Sequence, residues 1–175
     1  MTTFFAGQPL TAAQLEDLRT FAIPQLVVKA ADESVTSNTT PQDDDELFLT
    51  VTANAAYRLT MHLLVACTGT GSDIFFRFNA PTGSTMSASS AGIDQGATTV
   101  IGSMNAGAIQ NVTTFPTSPN FGYGAVNSTV GIITVGTLIV GSTAGTLRLQ
   151  WSQATSSATA TVVKAGSSLE LARYA

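Results

Sequence analysis

The residue types that could do chemistry in this sequence are few and scattered. An acidic run occupies Asp43 to Glu46, the only histidine is His62, and the only cysteine is Cys67. Clustered carboxylates suit a hard cation such as calcium, but this run lacks the alternating ligands and central glycine of an EF-hand loop. We therefore expect the acidic run to be a solvated turn leading into a strand, with cation binding left open.

No catalytic arrangement is predicted from the remaining candidates. His62 has no second histidine or cysteine with which to share a metal, and a triad would need it beside a nucleophile and a carboxylate. Beyond the first third of the chain the acidic residues Asp73, Asp94 and Glu170 are isolated, whereas glycoside hydrolysis needs a carboxylate pair. Cys67 is expected to be a buried, inert thiol. The sequence predicts no enzyme activity, no cofactor and no metal site.

Composition bounds the class of protein. The chain has 175 residues, of which 10% are charged and 44% hydrophobic, with a net charge of −4, so one domain with a sizeable core is expected. Seven Lys and Arg residues occur singly, which argues against a nucleic-acid partner. The apolar run Val130 to Val140 is shorter than the ~18 residues of a membrane span. We find no signal peptide and expect synthesis in the cytoplasm without membrane insertion.

The stretch from Leu47 to Cys67 organises the predicted fold. Apolar residues alternate with more polar ones from Tyr57 to Cys67, which indicates a strand with one buried and one wetter face. Leu47 to Thr52 shows the same alternation, and a turn at Ala53 to Ala56 separates the two runs. We therefore predict a β-hairpin whose apolar face packs on a second sheet.

Further short strands supply that second sheet. They are predicted at 25–29, 34–36, 74–79, 86–88, 98–103, 111–115, 130–140, 146–152, 159–164 and 169–174. The continuous apolar character of 130–140 predicts burial on both faces. Short strands with Gly-rich turns between them are typical of an all-β protein. The predicted fold is an antiparallel β-sandwich, with a jelly-roll strand order.

A helical arm is predicted before the sandwich. Thr11 to Gln14 matches a capping box that would start a helix over 12–22, and Pro24 ends it. So short a helix needs a docking partner. It could dock on its own sandwich or on a neighbouring subunit as an attachment arm. We divide the chain into an arm, 1–30, and a sandwich, 31–175. The predicted arm contacts are Phe4, Phe5, Leu10, Leu15 and Leu18.

Two pairs of aromatic residues are candidates for contacts outside the core. Phe48 and Phe75 are predicted to point outward, where an oligomer interface would cover them. Phe121 and Tyr123 lie in a glycine-containing loop that could stack on a sugar ring of a host surface glycan. Alternatively, that loop could plug one end of the sandwich.

Several strings of residues carry a family resemblance along nearly the whole chain. They are Phe5-Ala6-Gly7 with Leu10-Thr11-Ala12-Ala13-x-Leu15, Asp32-Glu33-Ser34-Val35-Thr36-Ser37, Asp44-Asp45-x-Leu47 with Ala53-Asn54-Ala55-x-Tyr57, Pro81-x-Gly83, Gly145-Thr146-Leu147-x-Leu149-Gln150-Trp151-x-Gln153, and Val163-x-Ala165-Gly166-Ser167. In these strings the chain resembles small virion proteins, of minor tail or decoration type, encoded by tailed bacteriophages and prophages of actinobacteria.

The resemblance implies a structural part of a virion with no known catalysis. A minor tail component is the first expectation, and a capsid decoration protein is the alternative. The implied partners are other phage virion proteins, such as a tail protein or the major capsid protein. By analogy with tumour-necrosis-factor-like jelly rolls, a surface-exposed homotrimer is expected. A carbohydrate-binding host-receptor module is the alternative from a different class.

Overall fold

The computed structural model describes residue 7 and residues 9–67, 73–92, 120–121 and 129–175. Within these ranges the chain forms one α-helix and eleven β-strands in two antiparallel sheets. The elements are α1 (Ala12–Ala22), β1 (Gln25–Val28), β2 (Glu33–Val35), β3 (Gln42–Val51), β4 (Ala56–Cys67), β5 (Ile74–Asn79), β6 (Thr85–Ala91), β7 (Asn120–Phe121), β8 (Thr129–Ile139), β9 (Gly145–Gln153), β10 (Thr161–Val163) and β11 (Ser168–Arg173). The strands predicted at 98–103 and 111–115 lie outside the described residues.

The large sheet is centred on β4, which pairs with β8 along one edge and with β10 and β11 along the other. β1 pairs with β11 and β2 pairs with β10 in one continuous register. Between these two strand pairs the ladder is interrupted at Lys29. Backbone hydrogen bonds span the interruption: Lys29 N donates to Ser167 O, and Gly166 N donates to Lys29 O. β6 pairs with the other edge of β8. The large sheet therefore has five strand positions: β1/β2, β10/β11, β4, β8 and β6.

The small sheet has the order β3, β9, β5 and β7. Successive strands mostly alternate between the two sheets, so that β2, β4, β8 and β10 lie in the large sheet while β3, β5, β7 and β9 lie in the small one. This order, with β6 as an added edge strand, is that of a jelly roll built from two Greek keys. The predicted antiparallel β-sandwich is confirmed.

The predicted hairpin between the runs 47–52 and 57–67 is wrong. β3 pairs with β9 in the small sheet, whereas β4 pairs with β8 and β11 in the large sheet. Asn54 has a φ of 58° in the turn between them, and this turn carries the chain from one sheet to the other. Alternation reports which face of a strand is buried, but it does not report which strand is its neighbour.

The core lies between the sheets and is filled by the inward residues of both. Its largest fully buried side chains include Trp151, Tyr57, Met61, Leu63 and Leu147. Cys67 is buried among them, as predicted. The prediction that 130–140 is buried on both faces is wrong, because burial alternates along β8. Its outward side chains are half exposed.

One glycine sets how closely β6 approaches β8. A Cβ on Gly136 would lie 2.6 Å from Ala88 Cβ and 2.7 Å from the carbonyl oxygen of Ser87. Both neighbours belong to β6, which pairs directly with β8 at this point. A larger residue at position 136 would therefore force the two strands apart, and this close approach requires glycine.

The predicted helix is confirmed at Ala12–Ala22. Thr11 has an extended backbone and its hydroxyl accepts a bond from Gln14 N, while the Gln14 side chain accepts from Thr11 N at 2.9 Å. These two bonds form the predicted capping box. The helix lies against β11. The first strand of the sandwich, β1, starts at Gln25, within the segment that the sequence assigns to the arm.

Candidate functional site

The acidic run lies inside β3, and its central carboxylate is buried. The prediction of a solvated turn is therefore wrong. Asp44 is 0% exposed, and its Oδ1 accepts from Lys29 Nζ at 3.0 Å and from the backbone amides of Glu46 and Leu47 at 3.0 and 2.8 Å. Its Oδ2 accepts from Lys29 Nζ at 3.1 Å and from Trp151 Nε1 at 3.2 Å. Both oxygens of this buried carboxylate therefore accept hydrogen bonds, so its burial leaves neither oxygen unsatisfied.

Lys29 is the cation that the acidic side chains surround. Its side chain is buried, and Nζ donates to Glu33 Oε2 at 2.7 Å as well as to Asp44. Glu46 lies 3.8 Å away and also accepts from the amide of Ala30. Burial alone lowers the pKa of this lysine, but its hydrogen bonds to Glu33 and Asp44 and their charges outweigh burial and raise the pKa. We call Lys29, Glu33, Asp44, Glu46 and Trp151 the ion cluster.

The ion cluster joins the two sheets. Lys29 lies at the interruption of the large sheet, directly after β1, whereas Asp44 lies in β3 and Trp151 in β9 of the small sheet. The ammonium group stands where a bound cation would otherwise be required to balance the carboxylates. In the described ranges no group of three or more His, Cys, Asp or Glu residues could hold a metal ion. The hydrogen bonds from Lys29 and Trp151 to Asp44 connect the two sheets.

The predicted arm residues are placed only in part. Leu10, Leu15 and Leu18 are 42–52% exposed, although the helix lies against β11. Phe21 and Ile23 are exposed as well and extend the apolar surface toward the sandwich. Phe4 and Phe5 lie outside the described residues. The described arm thus presents an apolar surface that its own sandwich does not cover.

Phe48 and Phe75 lie on the outer side of the small sheet but are not neighbours. Phe48 is opposite Arg148 of β9, whose guanidinium lies 4.4 Å from the ring centroid, whereas Phe75 is opposite Ser152. A polar network lies between the two rings. Arg77 donates to Gln150 at 2.7 Å, and Gln150 donates to Asp43 at 2.7 Å. The predicted interface at Phe48 and Phe75 stays a prediction.

The predicted glycan contacts are not tested. The backbone of Phe121 belongs to β7, where it pairs with Ile74. Tyr123 lies outside the described residues.

His62 lies on the outer side of β4, where its Nε2 would be 3.0 Å from a Cβ added to Gly131.

A separate open depression lies at one end of the small sheet, with a volume of about 400 Å³. It is lined by Arg77, Phe78, Asn79, Ala80, Pro81, Thr82, Gly83, Ser84 and Gln150. This lining offers a guanidinium and two amides but neither a carboxylate nor a histidine. It therefore provides hydrogen-bond donors and acceptors without a pair of groups suited to general acid and base chemistry.

An apolar surface that the sequence did not reveal lies on the outer side of the large sheet. Its most exposed members are on β1 and β8: Leu26 (60%), Val28 (51%), Ile133 (52%), Val135 (50%) and Ile139 (53%). We call this surface the apolar face. The sequence does not reveal it because the near-continuous apolar run at 130–140 predicts burial on both faces.

Comparisons with known proteins do not identify a family. No protein-family model matches the chain, and no curated protein matches it. A structure of the Gt strain of infectious bursal disease virus is similar at 14% identity, over 86% of this chain and 42% of the viral chain, with a TM-score of 0.20. A structure of the Gx strain is similar at 15% identity, over 85% of this chain and 40% of the viral chain, with a TM-score of 0.15.

The chain spans less than half the length of the viral chains that it matches, and TM-scores of this size support no inference about fold or function. No helix in the described part of the chain is long and apolar enough to cross a membrane. What the chain does must therefore be argued from its fold and its surfaces.

Proposed function

We propose that this chain is a non-enzymatic structural protein of a bacteriophage virion. It would be a surface-exposed, oligomeric β-sandwich, with a homotrimer as the expected form, attached through its N-terminal arm as a minor tail component. The observation that carries the proposal is the position of the strings with the phage resemblance. In the folded chain, several of these strings contact one another.

Four of these strings converge on the ion cluster and the adjacent interruption of the large sheet. Glu33 and Asp44 each bond Lys29, and Trp151 donates to Asp44. In the fourth string, the backbone groups of Gly166 and Ser167 bond those of Lys29. Asp32 supports this contact by accepting from the backbone amide of Ala165 and from the side chain of Lys164.

One further contact joins two strings, and another joins a string to the end of β3. A Cβ on Gly145 would lie 2.9 Å from Pro81 Cγ, so the strings that contain these residues touch each other. In the string after β3, the hydroxyl of Tyr57 accepts from Thr52 N at 3.0 Å and ties β4 to the end of β3. Residues that hold the sandwich together are what a rigid virion module needs from its sequence.

The arm supplies the second requirement, a means of attachment. The capped helix presents Leu15, Leu18 and Phe21 to solvent beside a sandwich that is complete without them. A preformed amphipathic helix binds by inserting such side chains into a groove of its partner. The partner proposed here is a tail protein of the same virion.

The test is incorporation into particles. Virions would be purified from cells that produce the wild-type chain, the arm variant Leu15→Ser/Leu18→Ser, or the control Glu16→Ala on the same helix. Quantitative mass spectrometry should find wild type and control in small multiples of three copies and should find the arm variant strongly depleted. Antibody labelling in the electron microscope should mark the tail.

Other outcomes separate the alternatives. Hundreds of copies with label on the head would identify a capsid decoration protein instead. Absence of the wild-type chain from purified virions would refute the proposed function. Equal incorporation of the arm variant and wild type would contradict attachment through the helix.

A further inference from the structure

The apolar face is organised by the register of the large sheet. One row of outward residues runs Leu26, Glu170, Thr60 and Val135, and the next runs Val28, Ser168, His62 and Ile133. In these two rows, apolar side chains thus lie on both sides of a polar middle. The outward residues of an antiparallel sheet exposed to water are usually polar, so exposed branched side chains along β1 and β8 point to a partner.

The charges of this face limit what that partner can be. Among its outward residues Arg58 and Glu170 carry opposite formal charges, and they lie on the adjacent strands β4 and β11. The face is therefore close to neutral, although the whole chain carries −4. An anionic membrane surface or a nucleic acid would need a basic patch. A second copy of the same face meets no excess of like charge, and Arg58 of one copy can face Glu170 of another.

The size of the face also suits a copy of this chain. The four intervals of about 4.8 Å between five strand positions, and the 11 residues of β8 at about 3.3 Å each, give roughly 700 Å². Stable protein interfaces bury about 600–1,000 Å² on each partner. The face is thus large enough to hold an oligomer without help from other surfaces.

We infer that the apolar face is the self-association surface of this protein and is covered by the same face of neighbouring copies. The inference deepens the proposed function and rests on its oligomeric form, because it names the surface through which the copies meet. It places the contact on the large sheet, whereas the sequence places it at Phe48 and Phe75 on the small one. The N-terminal arm then stays available for another protein.

The experiment measures the mass of the full-length protein in solution by light scattering. The face variant is Ile133→Lys/Val135→Lys, and the matched control is Phe48→Lys/Thr146→Lys on the outer side of the small sheet. All four positions are exposed, so each variant should keep the fold, which circular dichroism checks. We expect an oligomer for wild type and control, and a single chain of 18.0 kDa for the face variant.

Three results would overturn the inference. These are a wild-type protein that stays monomeric at high concentration, a face variant that remains oligomeric, or dissociation on deletion of residues 1–24, which would mean that the arm holds the copies together. A monomeric wild type would also contradict the oligomeric form in the proposed function, whereas the role as a virion component is judged separately by incorporation into particles.

A cysteine pair keeps the inference testable if the face variant fails to fold. Thr137→Cys lies on the face and Thr146→Cys on the other sheet, while the native Cys67 is buried. A short bis-maleimide should link copies of the Thr137→Cys protein into dimers and leave the Thr146→Cys protein unlinked. Equal linking at both positions, or none at position 137, would also overturn the inference.

Discussion

Two regions of this molecule reverse the usual distribution of polar and apolar groups. The ion cluster places Lys29 and Asp44 inside, where charged side chains are rarely found, and the apolar face places residues such as Ile133 and Val135 outside. The first region is complete within one chain, because each oxygen of the buried Asp44 carboxylate accepts hydrogen bonds. The second is incomplete within one chain. The difference separates what holds the fold together from what the fold offers to other molecules.

The two regions also differ in what a single substitution should do. Removing one partner from a satisfied buried ion pair leaves the other charge without compensation. Removing an exposed apolar side chain takes away little from an isolated chain. The stabilities below refer to protein dilute enough to be monomeric.

The largest effect is expected from Asp44→Ala. Lys29 would lose its most buried partner, and the amide of Leu47 and the indole of Trp151 would lose their acceptor. We expect the free energy of unfolding to fall by about 3–5 kcal/mol, measured by urea denaturation. The control is Asp45→Ala, at the exposed next position, which should change it by less than about 0.5 kcal/mol. Equal losses in the two variants would contradict a special role for the ion cluster.

A smaller effect is expected from neighbouring isoleucines on β8. Ile132 is 1% exposed and Ile133 is 52% exposed. Ile132→Ala should cost about 2–5 kcal/mol through lost burial and a cavity, whereas Ile133→Ala should cost less than about 0.5 kcal/mol. Thermal and urea unfolding of both variants would measure this. In concentrated protein the Ile133 variant should instead show weaker self-association, and comparable stability losses would refute the assignment of the two faces.

The smallest effect is expected on how the free energy of unfolding decreases with rising pH in the alkaline range. The pKa of Lys29 is raised in the folded protein, so its contribution is complete below the unfolded value of about 10.4. That contribution is lost as pH rises through the raised folded value. Urea denaturation of wild type should therefore show a steeper loss of stability above about pH 10.4 than Lys29→Met. Parallel pH dependence in the two proteins would be inconsistent with this ion pair.

Much of the fold was predictable from the sequence because local patterns determine the elements. The capping box places the start of α1, and the predicted strand 74–79 coincides with β5. Alternation along β4 identified its buried side, including Cys67. The partner of β3 was not predictable in this way, since the register that joins it to β9 spans about a hundred residues. The jelly-roll order followed from fold class rather than from any pairing seen in the sequence.

The ion cluster was less accessible to prediction for the same reason. Asp43 to Glu46 looks solvated when only its neighbours along the chain are considered, and the lysine that neutralises Asp44 lies 15 residues earlier, in the other sheet. One signal was available, a lysine at the end of the apolar run from Gln25. The apolar face was hidden because a nearly continuous apolar run is compatible with burial by its own chain or by another.

The position of Lys29 also has a mechanical consequence. A force applied to the arm enters the sandwich at Gln25 and first strains the four residues of β1 against β11. The next residue is Lys29, whose ammonium group is bonded to Asp44 of the opposite sheet. Tension is therefore shared between both sheets within five residues of the entry point, instead of peeling one edge strand away. The ion cluster would therefore help to keep the two sheets together when force is applied to the arm.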